Sequence, residues 1–381
     1  MRMRQIALAG LAAACASFAQ TETAQTPTPA QTPAPAPDKP STWSVGPIKF
    51  SGLIDGYFSK NFNNPASRFN QLRNFDVKSN QFSLNMTKIT LAHDPDPVGF
   101  TLDFGFGRAW NIFHATEPSG ATEFLQYLPQ AFVSVKPPNA GGFQFDFGKF
   151  YTSAGAELTE THLNWNYSRA LLYANGPYYH FGARMVKPLG DHFSAGFQVV
   201  NGWNNVEDNN SPKTVGFTAA ATSSKVSWYN TYYVGTETSL DGAIEGNRHF
   251  YDTVLSLTPS DKFNAYVNFD YGQQHDKFAQ TDYAFYGVAL AAKIAPTRWF
   301  ALSPRIEWYK DRDGFITGTA QSLKEFTMTG EFKMKEGFLT RLEYRRDWSD
   351  VPYFDRGNTP ASAKSQSTIL VGIVAFFGPE R

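Results

Sequence analysis

The sequence predicts an all-β fold: a transmembrane, antiparallel up-and-down β-barrel of roughly sixteen strands, with short periplasmic turns and long extracellular loops. The first observation behind this is alternation. In TRLEYRRDW (340–348), Arg341, Glu343, Arg345 and Asp347 fall on one face and Leu342, Tyr344 and Trp348 on the other. A strand of period two needs an apolar neighbour on one side and polar surroundings on the other. A soluble sandwich turns the wet face outward, whereas an outer-membrane barrel turns it into the lumen.

Connection lengths decide between these. Short links at 94–97, 137–141, 189–191, 222–224, 258–261, 295–297 and 335–337 alternate with long polar ones near 60–76, 110–122, 152–178, 202–213, 236–247, 272–281, 310–320 and 349–365. Hairpins of this kind have tight turns at one end and loops at the other, a segregation that barrels show and sandwiches have no reason to adopt. Both termini then lie on the short-turn, periplasmic side. The third observation is that no apolar run of transmembrane-helix length follows the N-terminus, although 16% of residues are aromatic.

Along the chain, MRMRQIALAGLAAACASFAQ reads as a secretory signal peptide over residues 1–19, with Arg2 and Arg4 in the charged region and Ser17-Phe18-Ala19 as the cleavage site. The single cysteine, Cys15, lies inside it, so the mature chain has no disulfide or thiolate metal site. A lipoprotein cut before Cys15 is the competing reading, weakened because Ala12 stands where such signals place Leu. Residues 20–45, rich in Pro, Ala and Thr, form an extended periplasmic linker, and 46–381 form the barrel.

Strand faces follow from the alternation. Phe100, Leu102, Phe104 and Phe106 point outward with Thr101 and Asp103 inward; Phe326, Met328 and Phe332 point outward with Glu325, Thr327, Glu331 and Lys333 inward. Leu342 and Tyr344 meet lipid, Trp348 sits near the outer interface, and Arg341, Glu343 and Arg345 face a water-filled lumen. Arg346 breaks the chemical alternation close to the loop end, where its long side chain reaches headgroups or solvent. Aromatic rings recur at both ends of barrel-length segments, from Trp299 and Phe300 to Trp308 and Tyr309 and from Phe263 to Tyr271, as interfacial girdles require.

Several function classes are disfavoured. With 34 basic and 34 acidic residues there is no basic excess to recommend nucleic acid as a partner. GxSxG, HExxH and phosphate-loop patterns are absent, GFGRAW (105–110) lacks a third glycine, and the seven histidines are scattered. The sequence therefore points to no enzyme, cofactor or metal. In NGWNNVEDNN (201–210), Trp203 could stack on a sugar and Glu207 and Asp208 could hold calcium, but the spacing fits no calcium loop and the composition suits a surface turn.

Four ordered blocks, SGLIDGYFSKNFNNP (51–65), FGKFYTSAGAELTE (147–160), NWNYSRALLYANGPYYHFGAR (164–184) and VVNGWNNVEDNN (199–210), resemble the OmpL-like beta-barrel porin family, also called beta-barrel porin-2. The resemblance is dense over residues 50–215 and continues as strand pattern to the C-terminus. It implies a bacterial outer-membrane porin that passes small hydrophilic solutes and ions by passive diffusion. Outer-membrane lipid and the barrel assembly machinery are the implied partners, with a homotrimer resting on analogy alone. Phe377 stands in for the terminal aromatic that the assembly machinery reads, although Gly378, Pro379, Glu380 and Arg381 follow it.

By analogy with general porins, whose third loop folds inward and narrows the pore, the third long loop, 152–178, is the candidate constriction. It carries Glu157, Glu160, His162 and Arg169 among Trp165, Tyr167 and Tyr173. Opposite it, Arg184, Arg305, Arg341 and Arg345 with Glu307, Glu343 and Glu331 form the lumen wall. Loop acids facing wall arginines would set up a transverse field, and removal of Arg341 and Arg345 would shift selectivity toward cations. The bland alternative makes SRALLY a short packing helix and leaves the acids solvated. Two other roles stay open: a substrate-specific uptake channel, and a non-conducting structural or adhesive barrel.

Overall fold

The computed structural model describes residues 43–117, 123–239, 242–335 and 337–378. Residues 1–42, which hold the segment read as a signal peptide and most of the one read as a linker, and the last three residues lie outside the described residues.

A short strand, β1 (Ser44–Val45), folds back on β2 (Ile48–Asn61). The barrel continues through β3 (Gln81–His93), β4 (Val98–Phe106), β5 (Ala131–Val135), β6 (Gln144–Tyr151), β7 (Tyr179–Pro188), β8 (Phe193–Val200) and β9 (Thr214–Thr222). Its second half is β10 (Val226–Thr238), β11 (Glu245–Ser260), β12 (Phe263–Asp276), β13 (Thr281–Ile294), β14 (Phe300–Asp311), β15 (Gln321–Lys335) and β16 (Phe338–Ser349). The hairpin β17 (Phe354–Arg356) and β18 (Thr359–Ala363) occupies the last loop before β19 (Ser365–Phe377). Each barrel strand pairs antiparallel with its chain neighbour, and β19 pairs with β2, closing a sixteen-stranded barrel.

Alternation decides which side chains face lipid. Along β16, Arg341, Glu343, Arg345 and Asp347 are buried inside while Leu342 and Tyr344 are exposed outside. Arg346 keeps the outward position its parity demands, and its guanidinium lies 5.0 Å from the Trp348 ring centroid. The outward face is richest in Phe, Leu, Ile and Val, with Trp299 near one end of β14 and Trp308 near the other. Tyr309 departs from the expected girdle: it faces inward at 1% exposure and belongs to an interior cluster with Phe250, Phe285 and Leu323.

Two connections expected to be long are tight. β10 and β11 are joined by 239–244, and β12 and β13 by 277–280. Gln273, Gln274, His275 and Asp276 continue β12, where they pair with residues of β13. These strands run past the hydrocarbon layer, so polar residues on both faces removed the apolar alternation that marks a strand in lipid. The interior also differs from the expectation: Arg341, Glu343 and Arg345 do not face open water but are each 1% exposed beneath a loop.

Leu342→Arg, which puts a charge on the lipid face of β16, is expected to lower the unfolding free energy in liposomes by ~2–4 kcal/mol. Chemical denaturation with tryptophan fluorescence checks this. A loss under ~1 kcal/mol would mean that Leu342 sits at the interface or outside the bilayer.

Candidate functional site

The site forms around the loop 152–178, which leaves β6, crosses the lumen and returns to β7. A buried loop exposes a difficulty that a helix or strand avoids, because its peptide groups must find partners other than water. Here the barrel wall supplies them. On the acceptor side, Glu343 receives the amides of Tyr167 and Ser168 at 2.6 and 3.0 Å. Glu307 receives that of Leu171 at 2.7 Å, and Glu157, from the loop itself, receives that of Ala170 at 2.7 Å.

The Glu307 contact has a local cause. The short helix α1 (Leu171–Asn175) begins after Ala170, which has no side-chain oxygen to satisfy the free amides of a first turn. The wall carboxylate does so instead and also meets the positive end of the helix.

On the donor side, Arg341 reaches the carbonyls of Thr161 and Asn166 at 2.7 and 3.1 Å and also that of Asn164. Arg305 donates to the Ser168 carbonyl at 2.8 Å and Arg345 to the Arg169 carbonyl at 2.6 Å. The remaining valence of these cations goes to carboxylates: Arg305 to Glu157 at 2.5 Å and to Glu325 at 3.3 Å, Arg341 to Glu331 at 2.6 Å, and Arg345 to Asp347 at 2.8 Å. The guanidinium fork suits this work, since one group serves a carbonyl and a carboxylate together.

The sequence-predicted residues thus separate. Glu157, Arg305, Glu307, Arg341, Glu343 and Arg345 converge on the loop. Glu160 pairs with Lys88, which also donates to Asp103 at 2.8 Å. Arg169 turns back on its own loop, donating to the carbonyls of Leu158 and Tyr167 at 3.0 and 2.6 Å, with its guanidinium 5.3 Å from the Phe75 ring centroid. His162 stacks on Phe376 with ring centroids 4.7 Å apart. Arg184 is not part of the ladder: on β7 it pairs with Asp146 at 2.8 Å and lies 4.3 Å from the Phe150 ring centroid. The acids are buried and paired, so neither a field across open water nor freely solvated carboxylates describes them.

Sequence reasoning passed over Asp55 on β2, which accepts the Tyr167 and Thr161 hydroxyls at 2.5 Å each. Its inward parity in FSGLIDGYF was the available signal. The connection read near 60–76, here 62–80, was given no part in the site; its Arg73 donates to Asp347 at 3.0 Å and to Thr368 at 2.9 Å, covering the ladder from the extracellular side. Trp203 does not offer a face to solute: it packs edge-on against Phe250 at 5.0 Å under Arg248 at 4.7 Å. Asp208 is paired with Lys213, and no cluster of three or more potential metal-ligating His, Cys, Asp or Glu side chains occurs among the described residues.

Solved structures with the same architecture include OmpT of Vibrio cholerae in its trimer form, with 12% identity, a TM-score of 0.60, and coverage of 87% of this chain and 99% of that one. An anion-selective porin from Comamonas acidovorans follows at 10% identity and a TM-score of 0.59, covering 87% and 99%. The outer membrane channel DcaP of Acinetobacter baumannii gives 10% identity and a TM-score of 0.59, covering 89% and 99%. At these identities the likeness is one of fold. No curated protein matches the chain in sequence. The family model described as "Putative beta-barrel porin-2, OmpL-like" matches residues 47–377, and the chain belongs to that family of bacterial outer-membrane porins.

Proposed function

We propose that the barrel passes small hydrophilic solutes and ions by passive diffusion, and that the loop 152–178 is the constriction that sets which of them pass. The observation that carries this reading is the set of wall arginines and carboxylates that hydrogen-bond the loop backbone across the lumen. A loop held through its main chain at this many points acts as a fixed part of the pore wall. No catalytic step is assigned: transport down a gradient needs neither a nucleophile nor a cofactor. Outer-membrane lipid on the apolar outer face, the barrel assembly machinery acting on the last strand, and a homotrimeric state are parts of the same proposal.

Two glycines on the wall support the docking. A Cβ at Gly372 would lie 2.3 Å from the Tyr167 ring, and one at Gly287 would lie 2.8 Å from Leu172. Each glycine leaves the recess that receives a loop side chain, and both face backbone or ring atoms that cannot yield cheaply.

The pore should therefore discriminate weakly between ions at the ladder, because the charges there are spent on one another and on the loop. Arg341→Ala and Arg345→Ala each strip one partner from a buried network, a change that costs ~3–5 kcal/mol when the remaining charge stays buried. The loop can relieve that cost by leaving the wall, so planar-bilayer recordings are expected to show larger or flickering conductance. A shifted reversal potential at unchanged unit conductance would mean that the arginines act as a selectivity field and do not tether the loop.

Gly372→Leu is expected to raise unit conductance in the same way by expelling Tyr167, with the barrel retained by circular dichroism. Wild-type conductance from the folded variant would argue that Tyr167 docking does not position the constriction. Single-channel recording of the refolded wild-type barrel tests the overall reading: discrete steps are expected, and their absence from folded, inserted protein would indicate a non-conducting barrel.

A further inference from the structure

The loop meets two stretches of the barrel wall in unlike ways. Against β14, β15 and β16 it seals the ion-pair ladder. On the side of β10, β11 and β12 it leaves a cavity of about 150 Å³, whose wall positions carry hydroxyls and rings but almost no charge.

Register shows how that lining is built. Ser227 on β10 pairs with Ser256 on β11, and Ser256 pairs with Tyr266 on β12, so three adjacent strands present hydroxyl-bearing residues at one height. Tyr229 lies next along the inward face of β10. From the loop side, Trp165 meets Tyr266 with ring centroids 5.2 Å apart and planes inclined by 37°. The one ionisable carboxylate in the lining, Glu157, is committed to Arg305 at 2.5 Å and to the Ala170 amide at 2.7 Å.

This combination selects a ligand class. Hydroxyl groups both donate and accept, so they exchange hydrogen bonds with another polyol without a charge match. Aromatic rings cover the C–H faces of such a molecule, and a small number of placed polar groups orients it. In the lining itself a cation or anion would find no unpaired countercharge and would give up hydration to enter; the nearest inward carboxylates, Asp252 and Asp270, lie beyond it and both accept from the Asn268 amide.

Resting on the porin reading, we propose that this cavity is a binding site for one ring of a neutral polyhydroxylated solute, a monosaccharide or the terminal unit of a longer sugar, taken up on its way through the pore. Trp165 and Tyr266 form its aromatic platform, and Ser227, Tyr229 and Ser256 bond the solute hydroxyls.

The test uses the full mature chain in planar bilayers, with glucose, sucrose and maltotriose as neutral probes and glucuronate as a charged probe, alongside calorimetric titration of the same sugars into the refolded protein. At least one neutral sugar is expected to reduce ion current saturably and to bind calorimetrically, with glucuronate much weaker. Trp165→Ala and Ser256→Val should each weaken that sugar by roughly tenfold, equivalent to ~1.4 kcal/mol, while ion conductance steps persist. Conductance steps with no saturable effect or heat from any neutral sugar would overturn the site and leave the porin standing. Sugar binding without any steps would overturn the porin reading and leave the site. Sugar affinity unchanged in both variants would overturn the assignment of these residues.

Discussion

Hydrocarbon offers no water to unpaired peptide groups, and the molecule is organised around that constraint. An open sheet would leave two bare edges in lipid at a cost of several kcal/mol per group. The chain avoids this by bringing its last strand to its first, with Thr368 opposite Asn61 and Phe377 opposite Gly52. Closure through an antiparallel pair requires an even number of strands with both ends on one side, and it creates an enclosed lumen. Everything functional about the protein concerns how that lumen is filled.

The same accounting applies inside. A chain segment folded into the lumen loses most of its water, and the wall answers with side chains in the role that a neighbouring strand would otherwise play. Buried ion pairs are poor evidence for stability, because desolvation offsets their attraction. Their use here is positional. Glu343 and Glu307 fix amides, Arg341, Arg305 and Arg345 fix carbonyls, and the carboxylates left over neutralise the cations. Arg305, Arg341 and Arg345 each hold a loop carbonyl and a carboxylate together, and Glu343 holds two loop amides and the Thr329 hydroxyl, so one loop conformation satisfies the set.

Sealing the charges on one side has a consequence for the other. On the side of β10, β11 and β12 the loop leaves a cavity lined by Ser227, Ser256 and Tyr266 from the wall and Trp165 from the loop. Under the proposed role as a constriction, such a lining would discriminate by size, shape and hydrogen bonding more than by charge. The sign of the protein's net charge, which is zero, is no guide to what it would admit.

How much of this was legible in the residues differs by level. The sequence by itself determined the barrel, since period-two alternation in strands such as 340–348 and the segregation of turn and loop lengths have no economical soluble solution. It also determined which wall residues point inward, including Arg305, Arg341 and Arg345, because parity along a strand is a local property. It misread 272–281 as a loop, because a strand that rises beyond the lipid no longer needs an apolar face. Only the tertiary structure decided what the inward charges meet. Arg341 contacts the Thr161 and Asn166 carbonyls, and Asp55 contacts Tyr167, across separations of more than a hundred residues. No periodicity encodes such partners: a loop has no repeat, and its path is set by where buried peptide groups can be satisfied.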